Sequence, residues 1–525
     1  MSGHDELKWL ATHGRVTRRE FMGRAAALGV STALASTLAG NAAFADDAPK
    51  KGGHLVLGLD GSSSTDTLDP MSYCCTAQYT LGYQFANSLV ELNEKGELDP
   101  ELAESWDTDA TATKWVFKIR KGVQFHNGKE LTAEDVIDSL NYHRKPDSTS
   151  AAKAFFEPVT EMKATDTHEV TITLNGPNAD MPYILTDYHL LILPAGGDPK
   201  AGIGTGGYVI ESFDPGVRAI TKRNPNYWKE NRGFVDSVET VGINDLTSRT
   251  SALQSGTVHF INRVDPKTVG LLKNNPDLTI LDIPSAGFYT LSMLCDAKPF
   301  DNADMRLAMK WALDREEILE KVLGGYGVVG NDQPVSSLDR FYADDLPQHS
   351  YDPDKAKFHF EKSGHSGPVT LTIADAAFPG AVDAALLFKE SAAKAGIEIA
   401  VDKVPEDGYW SDVWMKKPFC GSYWAGRPTA DMIMSLMFIS SADWNESHWR
   451  RDDFDKLVLQ ARAELDNAKR KQMYRELQLM MSEDSGVMIP AFNNFLFASA
   501  SNLKGLIPTL VFTGYRIGEQ LHFTS

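Results

Sequence analysis

Apolar residues recur along this chain with two periods, every second position in some segments and every third or fourth in others. Leu55-Val56-Leu57-Gly58-Leu59 is a short apolar run behind Gly52-Gly53, the pattern of a buried strand. Lys114–Ile119 and Glu169–Leu174 alternate apolar and polar side chains, which predicts half-buried strands. Thr132 is placed as an N-cap with Asp135 at N3, and Leu131 and Val136 stand where a hydrophobic staple forms. Ile137 and Leu140 extend that helix's apolar stripe. Asp352-Pro353 opens another helix and Gly364 ends it. Between Asn302 and Gly324, the spacing of Ala308, Trp311, Ala312, Leu319, Val322 and Leu323 predicts one long helix or a helix pair. Asp452 opens a further helix with Phe454, Leu457, Val458, Ala461 and Leu465 on one face. Met473, Leu477 and Met480 repeat the same period, and their plain reading is core packing. Strands and helices mix throughout, without repeats or low-complexity stretches, so the expectation is an α/β or α+β protein of at least two lobes.

Composition narrows this picture. The 525 residues suffice for about three domain-sized units. The balance of 52 Lys+Arg against 71 Asp+Glu gives a net charge of −19, the wrong sign for nucleic acid as a main partner. No run of eighteen apolar residues follows the N-terminal segment. That segment reads as an address. Thr17-Arg18-Arg19-Glu20-Phe21-Met22 precedes an Ala-rich, uncharged run over Ala25–Leu38, and Ala43-Phe44-Ala45 offers an A-x-A cleavage site. The pattern resembles a twin-arginine export signal over residues 1–45, the alternative being an N-terminal helix of the fold itself. Its removal takes away five basic and three acidic side chains, leaving the mature chain two charges more acidic.

Enzyme motifs find no foothold. Gly202-Ile203-Gly204-Thr205-Gly206-Gly207 spells G-x-G-x-x-G, but Tyr208–Phe213 after it reads as a strand, so a turn is expected rather than a dinucleotide site. Gly122 to Gly128-Lys129 has the wrong spacing for a phosphate loop. His359 and His365 lie six apart, a poor spacing for two metal ligands on one helix face. No catalytic residue, metal site or cofactor is therefore assigned. Of the four cysteines, Cys74-Cys75 are neighbours, whereas Cys295 and Cys420 stand alone. A strained vicinal bond, a Cys295–Cys420 bridge, metal ligation by the vicinal pair and free buried thiols are all compatible with this, free thiols being the plain reading.

An ordered series of short stretches carries a resemblance. It runs through Leu68-Asp69-Pro70, Leu102-Ala103-Glu104-Ser105-Trp106, Phe125–Val136, Gly204–Tyr208 and Asn224–Trp228. It continues with Ala252–Gly256, Lys298-Pro299-Phe300, Ala312–Arg315, Tyr351–Ala356 and Arg470…Gln478…Ile489-Pro490. From about Gly52 to its end the chain resembles the dipeptide/oligopeptide/nickel class of solute-binding proteins, the family 5 receptors of ABC importers. It departs at Gly207, where that family more often has Pro or Ala. The resemblance implies an α/β, two-lobed periplasmic binding protein (type II, hinged) with an extra subdomain inserted in lobe I. Residues 46–287 and 491–525 would form lobe I and 288–490 lobe II, with crossings near Phe288–Met293 and Val487–Phe492.

The same resemblance places the ligand between the lobes, where a buried ammonium or carboxylate must meet an opposite charge. The segment Tyr423–Asp431 falls where the family's amine anchor is expected. Asp431 is the candidate for the amine, and Arg427 for a carboxylate or for Asp431 itself. The alternative is a helix-capping turn with Asp431 in its first turn. Trp410, Trp424 and Trp444 would supply walls, with Phe288 and Tyr289 at the crossover and Tyr73 and Cys74 beside the Asp69-Pro70 turn. For each aromatic, core packing competes with ligand contact.

The expected function is a periplasmic, monomeric receptor of an ABC importer that captures a short peptide or similar amine-bearing solute by hinge closure. Its partners would be inner-membrane permease subunits and, during export, the twin-arginine translocase. The alternative is the same role for a metal chelate, an opine or an oligosaccharide. A redox or other enzyme is suggested only by the export signal.

Overall fold

Two seven-stranded sheets form the centres of two lobes. The computed structural model describes residues 49–73, 75–405, 408–509, 511 and 515–524. The expected export signal over residues 1–45 and the candidate Cys74 lie outside the described residues.

The sheet of lobe I is built around His54–Leu59, whose Leu55, Leu57 and Leu59 are fully buried. This strand runs parallel to Ser237–Gly242 on one side and to Phe260–Ile261 on the other. Arg218–Arg223 and Tyr208–Asp214 extend the first side, and Phe495–Ala500 and Leu278–Ile283 the second. Between the first and last of these strands in sequence, the chain makes an excursion into a separate four-stranded sheet, Ala103–Thr108, Lys114–Ile119, Glu169–Leu174 and Val159–Asp166. This is an inserted subdomain with its own core, in which Phe117, Ile119, Val170 and Ile172 meet Leu131, Val136 and Leu140. The helix that covers it, Ala133–His143, begins with the expected capping box. The Asp135 carboxylate accepts from the Thr132 backbone N–H and hydroxyl at 2.9 Å each. Two orphan donors of the first turn are satisfied before any packing is considered.

The glycine-rich segment is a turn, and Tyr208–Asp214 follows it as a strand. Gly202 sits at φ 65°. Gly204 and Gly206 press against the backbone of Phe85 and Ala86, where a Cβ on Gly204 would lie 2.2 Å from the Phe85 carbonyl oxygen. Close approach to protein backbone explains these glycines, and no phosphate is needed.

Lobe II holds Gly327–Val329, Ala491–Asn493, Phe288–Met293, Phe419–Trp424, Val369–Ile373 and Ile399–Lys403 in that order, with Val487–Met488 beside Phe288–Met293. The 302–324 segment is a helix pair, Ala303–Ala312 and Arg315–Lys321. Asp314 breaks it by capping the second helix, accepting from Glu317 N at 3.0 Å. Pro353–Ser363 ends at Gly364 with φ 70°, and the two last predicted helices are Asp452–Ala463 and Asn467–Asp484. Cys295 and Cys420 keep free thiols, both made harder to ionise by burial, to about 11 and about 12.

The chain passes between the sheets at residues 284–287 and again at Asn494. Both crossings differ slightly from the expected ones. Phe288–Met293 pairs along its whole length with Phe419–Trp424, and Ala491–Asn493 still pairs with Gly327–Val329, so both strands belong to lobe II. Among the described residues, no helix is long and apolar enough to cross a membrane.

Candidate functional site

Parallel strands point their carboxyl ends one way, so the following loops collect at one edge of a sheet, the usual place for a ligand in α/β proteins. In lobe II, Val369–Ile373 runs parallel to both Ile399–Lys403 and Phe419–Trp424. Phe288–Met293 starts from that same edge, because it is antiparallel to Phe419–Trp424. The edge therefore adjoins the crossing at 284–287 and gathers the loops beginning at residues 374, 404 and 425.

Aromatic side chains crowd there. Tyr289 stacks on Phe378 with ring centroids 4.3 Å apart and planes 8° apart. Tyr423 meets Trp410 edge-on at 5.5 Å, Trp410 meets Trp414 at 5.8 Å, Trp414 meets Trp444 at 6.2 Å, and Trp444 meets Trp424 at 6.0 Å. Three expected residues, Trp410, Trp424 and Trp444, are thus joined by a fourth ring that the sequence reading missed. Trp414 lies one helical turn beyond Trp410, and that i, i+4 spacing was the available signal. Its indole N–H donates to Glu446 Oε2 at 2.8 Å, which fixes the ring. Trp410 and Trp444 remain 41% and 47% exposed, enough to meet a solute. Phe288 is fully buried against Phe492 and serves the core.

Across the boundary, lobe I presents the carboxyl ends of His54–Leu59 and Phe260–Ile261. Asp60 accepts there from Asn262 Nδ2 at 2.6 Å and from Arg263 Nη1 at 3.0 Å. Burial pushes the Tyr289 hydroxyl up to about 12, and the positive charge of Arg263 opposes that shift, so these two side chains influence one another from opposite lobes.

The inserted subdomain supplies a third wall. Tyr73 is buried, its hydroxyl donating to the Leu68 carbonyl at 3.2 Å, and its carbonyl lies 2.9 Å from His189 Nε2. The other ring nitrogen of His189 lies 2.7 Å from Asp187 Oδ1, which also accepts the His189 backbone N–H at 3.0 Å. Tyr188 packs on Tyr79 at 3.9 Å and on Tyr515 at 5.8 Å. Asp187 Oδ2 accepts no hydrogen bond among the described residues. Burial works to raise the Asp187 carboxyl, but His189 and, more weakly, Arg427 outweigh it and hold the carboxyl below its ordinary value. Asp187 and Tyr188 escaped the sequence reading because an isolated Asp-Tyr-His step has no period and no spacing motif.

Arg427 and Asp431 do not pair. The Arg427 Nη1 donates to the carbonyls of Ala425 and Gly426 in its own loop, at 2.8 and 3.2 Å, and no carboxylate forms an ion pair with it among the described residues. Asp431, expected as the amine anchor, is already taken. It sits in the first turn of the helix Ala430–Met437, capped by Thr429, with both carboxylate oxygens 3.1 Å from Arg462 Nε. Burial raises its carboxyl despite Arg462. The capping alternative describes its position, except that the side chain is buried rather than on the surface. Nearby, the Asp180 carboxylate of the inserted subdomain takes Arg470 Nη1 and Nη2 at 3.0 and 2.7 Å and Arg340 Nη2 at 2.8 Å, all from lobe II. Among the described residues, no group of three or more acidic, His or Cys side chains is arranged to hold a metal ion.

A family model described as bacterial extracellular solute-binding proteins, family 5 Middle, matches residues 97–446. The glutathione-binding protein GsiB of Escherichia coli O6:K15:H31 is 24% identical over 499 residues, covering 91% of this chain and 94% of its own. The periplasmic binding protein AgaA of A. tumefaciens R10, solved with agropinic acid, superposes with a TM-score of 0.76 at 22% identity, covering 90% of this chain and 99% of its own. DppA of Helicobacter pylori, solved with the peptide STSA, gives 0.75 at 21% identity, covering 91% and 99%.

Proposed function

This chain belongs to the family 5 bacterial extracellular solute-binding proteins, and within that family we propose that it captures a short peptide or similar amine-bearing solute in the periplasm and delivers it to an ABC importer's permease. Its relatives are binding proteins of importers rather than enzymes. The observation that carries the solute class is Asp187. Its carboxyl is held in the charged form, one oxygen is fixed by His189, and the other has no partner among the described residues. The open acceptor of a largely buried carboxylate is satisfied by a further donor, and an ammonium group supplies one. Asp187 therefore takes the role first assigned to Asp431. The exposed Trp410, Tyr423 and Trp444 offer apolar faces to side chains of varied shape. Two relatives by likeness, GsiB and DppA, carry names or ligands of peptide character.

Closure follows from this placement, because a solute touching Asp187 on lobe I and the aromatic edge of lobe II stabilises only the form in which both are near it. An opine is the second reading, supported by the likeness to AgaA and by Arg427, which has no ion-pair partner among the described residues. Both have one test. Tryptophan emission and melting temperature of the exported protein are followed against defined dipeptides and against opines. A response to dipeptides, weakened in Asp187→Asn, supports the first reading. A response to opines alone supports the second.

A further inference from the structure

We infer that Glu446 is a positioning residue: its buried carboxylate locks the aromatic edge of lobe II into one shape before any solute arrives. The edge then favours solutes with a large apolar side chain. Only this preference rests on the receptor reading above; the lock itself is a property of the unliganded protein.

The rings form an arc, and a strand fixes only its two ends. Neighbouring strand residues point to opposite faces of a sheet, so Tyr423 lies on the face of its cross-strand partner Tyr289 and Trp424 on the other. From Tyr423 the ring contacts run through Trp410, Trp414 and Trp444 and return to Trp424, wrapping the end of the strand. The three middle rings come from two separate loops. Trp410 and Trp414 lie in and just after Tyr409–Asp412, whereas Trp444 lies between Ala430–Met437 and Asp452–Ala463. Edge-on ring pairs are satisfied over a range of centroid distances, so ring contact alone does not hold two loops in register.

Glu446 supplies the missing tie. Its residue is 2% exposed, and Oε2 accepts the Trp414 indole N–H at 2.8 Å. Oε1 accepts the hydroxyls of Thr290 and Ser292 at 2.8 and 2.5 Å. Those two residues are buried on one face of the central strand Phe288–Met293. One side chain thus joins the Trp414 loop to the sheet, and its own backbone carries Trp444 two residues earlier. Among the described residues its bonding partners are these three neutral donors, and no cation pairs with it. A carboxylate is a costly way to fill a buried space, which an apolar side chain fills with less penalty. An apolar side chain cannot, however, fix the direction of an indole N–H. Adaptable binding surfaces repack around varied partners, using flexible side chains such as Met. An arc of rings held at its midpoint does not repack: it makes full contact with a large apolar group and leaves a gap beside a small one.

The test uses the exported protein and two readouts. Indoles 5.8 to 6.2 Å apart couple as chromophores, and their exciton couplet in circular dichroism reports the arc with no solute present. The second readout is the ratio of affinities for a dipeptide with an aromatic side chain and for its alanine counterpart. Glu446→Gln offers the indole an acceptor and can donate to the two hydroxyls, so it should keep the couplet and a ratio of at least about tenfold. Glu446→Met has similar length and no acceptor; it should lose most of the couplet and bring the ratio within about threefold. Glu446→Asp keeps the charge but is too short to span the indole and the hydroxyls together. It should behave as Glu446→Met does, and it carries the test if the Met variant does not fold. Couplet and ratio unchanged in Glu446→Asp, or lost in Glu446→Gln as fully as in Glu446→Met, overturn the positioning role. A couplet that falls while the ratio stays overturns the side-chain preference. A couplet that follows the expected order in a protein that binds no dipeptide leaves the lock standing and removes the receptor reading for peptides.

Discussion

Asp180 and Asp187 lie seven residues apart on the inserted subdomain, and the first is bonded to arginines of lobe II while the second is bonded only to His189. Both oxygens of Asp180 are engaged by arginines: Arg470 grips it with two nitrogens, Arg340 adds a third, and Arg340 also donates to the Tyr183 hydroxyl at 2.9 Å while lying over its ring. A backbone bond from Ala179 N to the Arg462 carbonyl, 2.9 Å long, runs beside them. At Asp187 only one oxygen is engaged, and by its own neighbour. The first region is a seal made by the protein with itself. In the second, Asp187 pairs only with His189 of its own segment, and its other oxygen has no partner among the described residues. Charge alone therefore does not mark a binding site at a lobe boundary; what marks it is a largely buried carboxylate with an acceptor oxygen left open.

The largest test of this contrast is Asp180→Ala. It strands the Arg470 guanidinium, whose side chain is 3% exposed, without a counter-charge. Breaking one partner of such a pair destabilises by about 3–5 kcal/mol, measurable by chemical denaturation. A loss under about 1 kcal/mol, the range of surface pairs, would dissolve the distinction between the two regions.

Asp187→Asn is expected to do the reverse. The amide still offers His189 an acceptor, so stability should move by less than about 1 kcal/mol. Affinity for free dipeptides should fall by about 2 kcal/mol or more, because the bound ammonium loses its charge partner. The pH dependence has a definite sign. The carboxyl of Asp187 is held below its ordinary value, so its contribution is complete above the usual aspartate range, about 3.9. It is lost only as pH falls through the lowered value. Titration calorimetry that finds amine capture failing between about pH 5 and pH 7, where the carboxylate and an α-ammonium both keep their charges, would place the anchor elsewhere.

Asp431→Asn should have a smaller effect. Burial favours the neutral form of Asp431 more than Arg462 favours the charged one, so its carboxyl is raised. A raised acid contributes most at low pH and loses that contribution as pH rises through the folded value. At neutral pH the charged form is therefore no asset to the fold. Arg462 keeps 21% of its side chain in solvent, and removing the charge of Asp431 should change stability by about 1 kcal/mol or less. Dipeptide affinity should be unchanged. A large affinity loss here would return the amine anchor to Asp431.

These assignments show where sequence reading reaches and where it stops. Elements written into neighbouring residues were legible: the Thr132–Asp135 box, the Gly364 stop, the alternation in Lys114–Ile119 and the turn made by Gly202–Gly207. Each depends on interactions a few residues apart. The segment around Tyr423–Asp431 was also legible as a place, because a family resemblance located it. Roles within it were not. Whether Asp431 or Arg427 is available depends on Arg462, thirty-one residues after Asp431, and on Asp187, which lies in another lobe. Local pattern carries no trace of which distant partner satisfies a charge. The crossings were displaced by only a few residues, since a strand looks the same whichever sheet receives it.

The smallest expected effect belongs to Trp424→Phe, and it sharpens the contrast at its finest grain. The buried indole N–H of Trp424 has no acceptor among the described residues, and an unsatisfied buried donor costs about 1–3 kcal/mol of desolvation. Phenylalanine removes that donor and gives up part of the ring's packing against Trp444 and the core around Phe288. The two changes oppose each other, so the melting temperature should shift little. If a solute's anionic end reaches this N–H, affinity for free dipeptides should fall by about 0.5–1.5 kcal/mol, the worth of one hydrogen bond. The C-terminal amides, which lack the anionic acceptor, should lose less. Equal losses for both probes would assign Trp424 to wall packing alone.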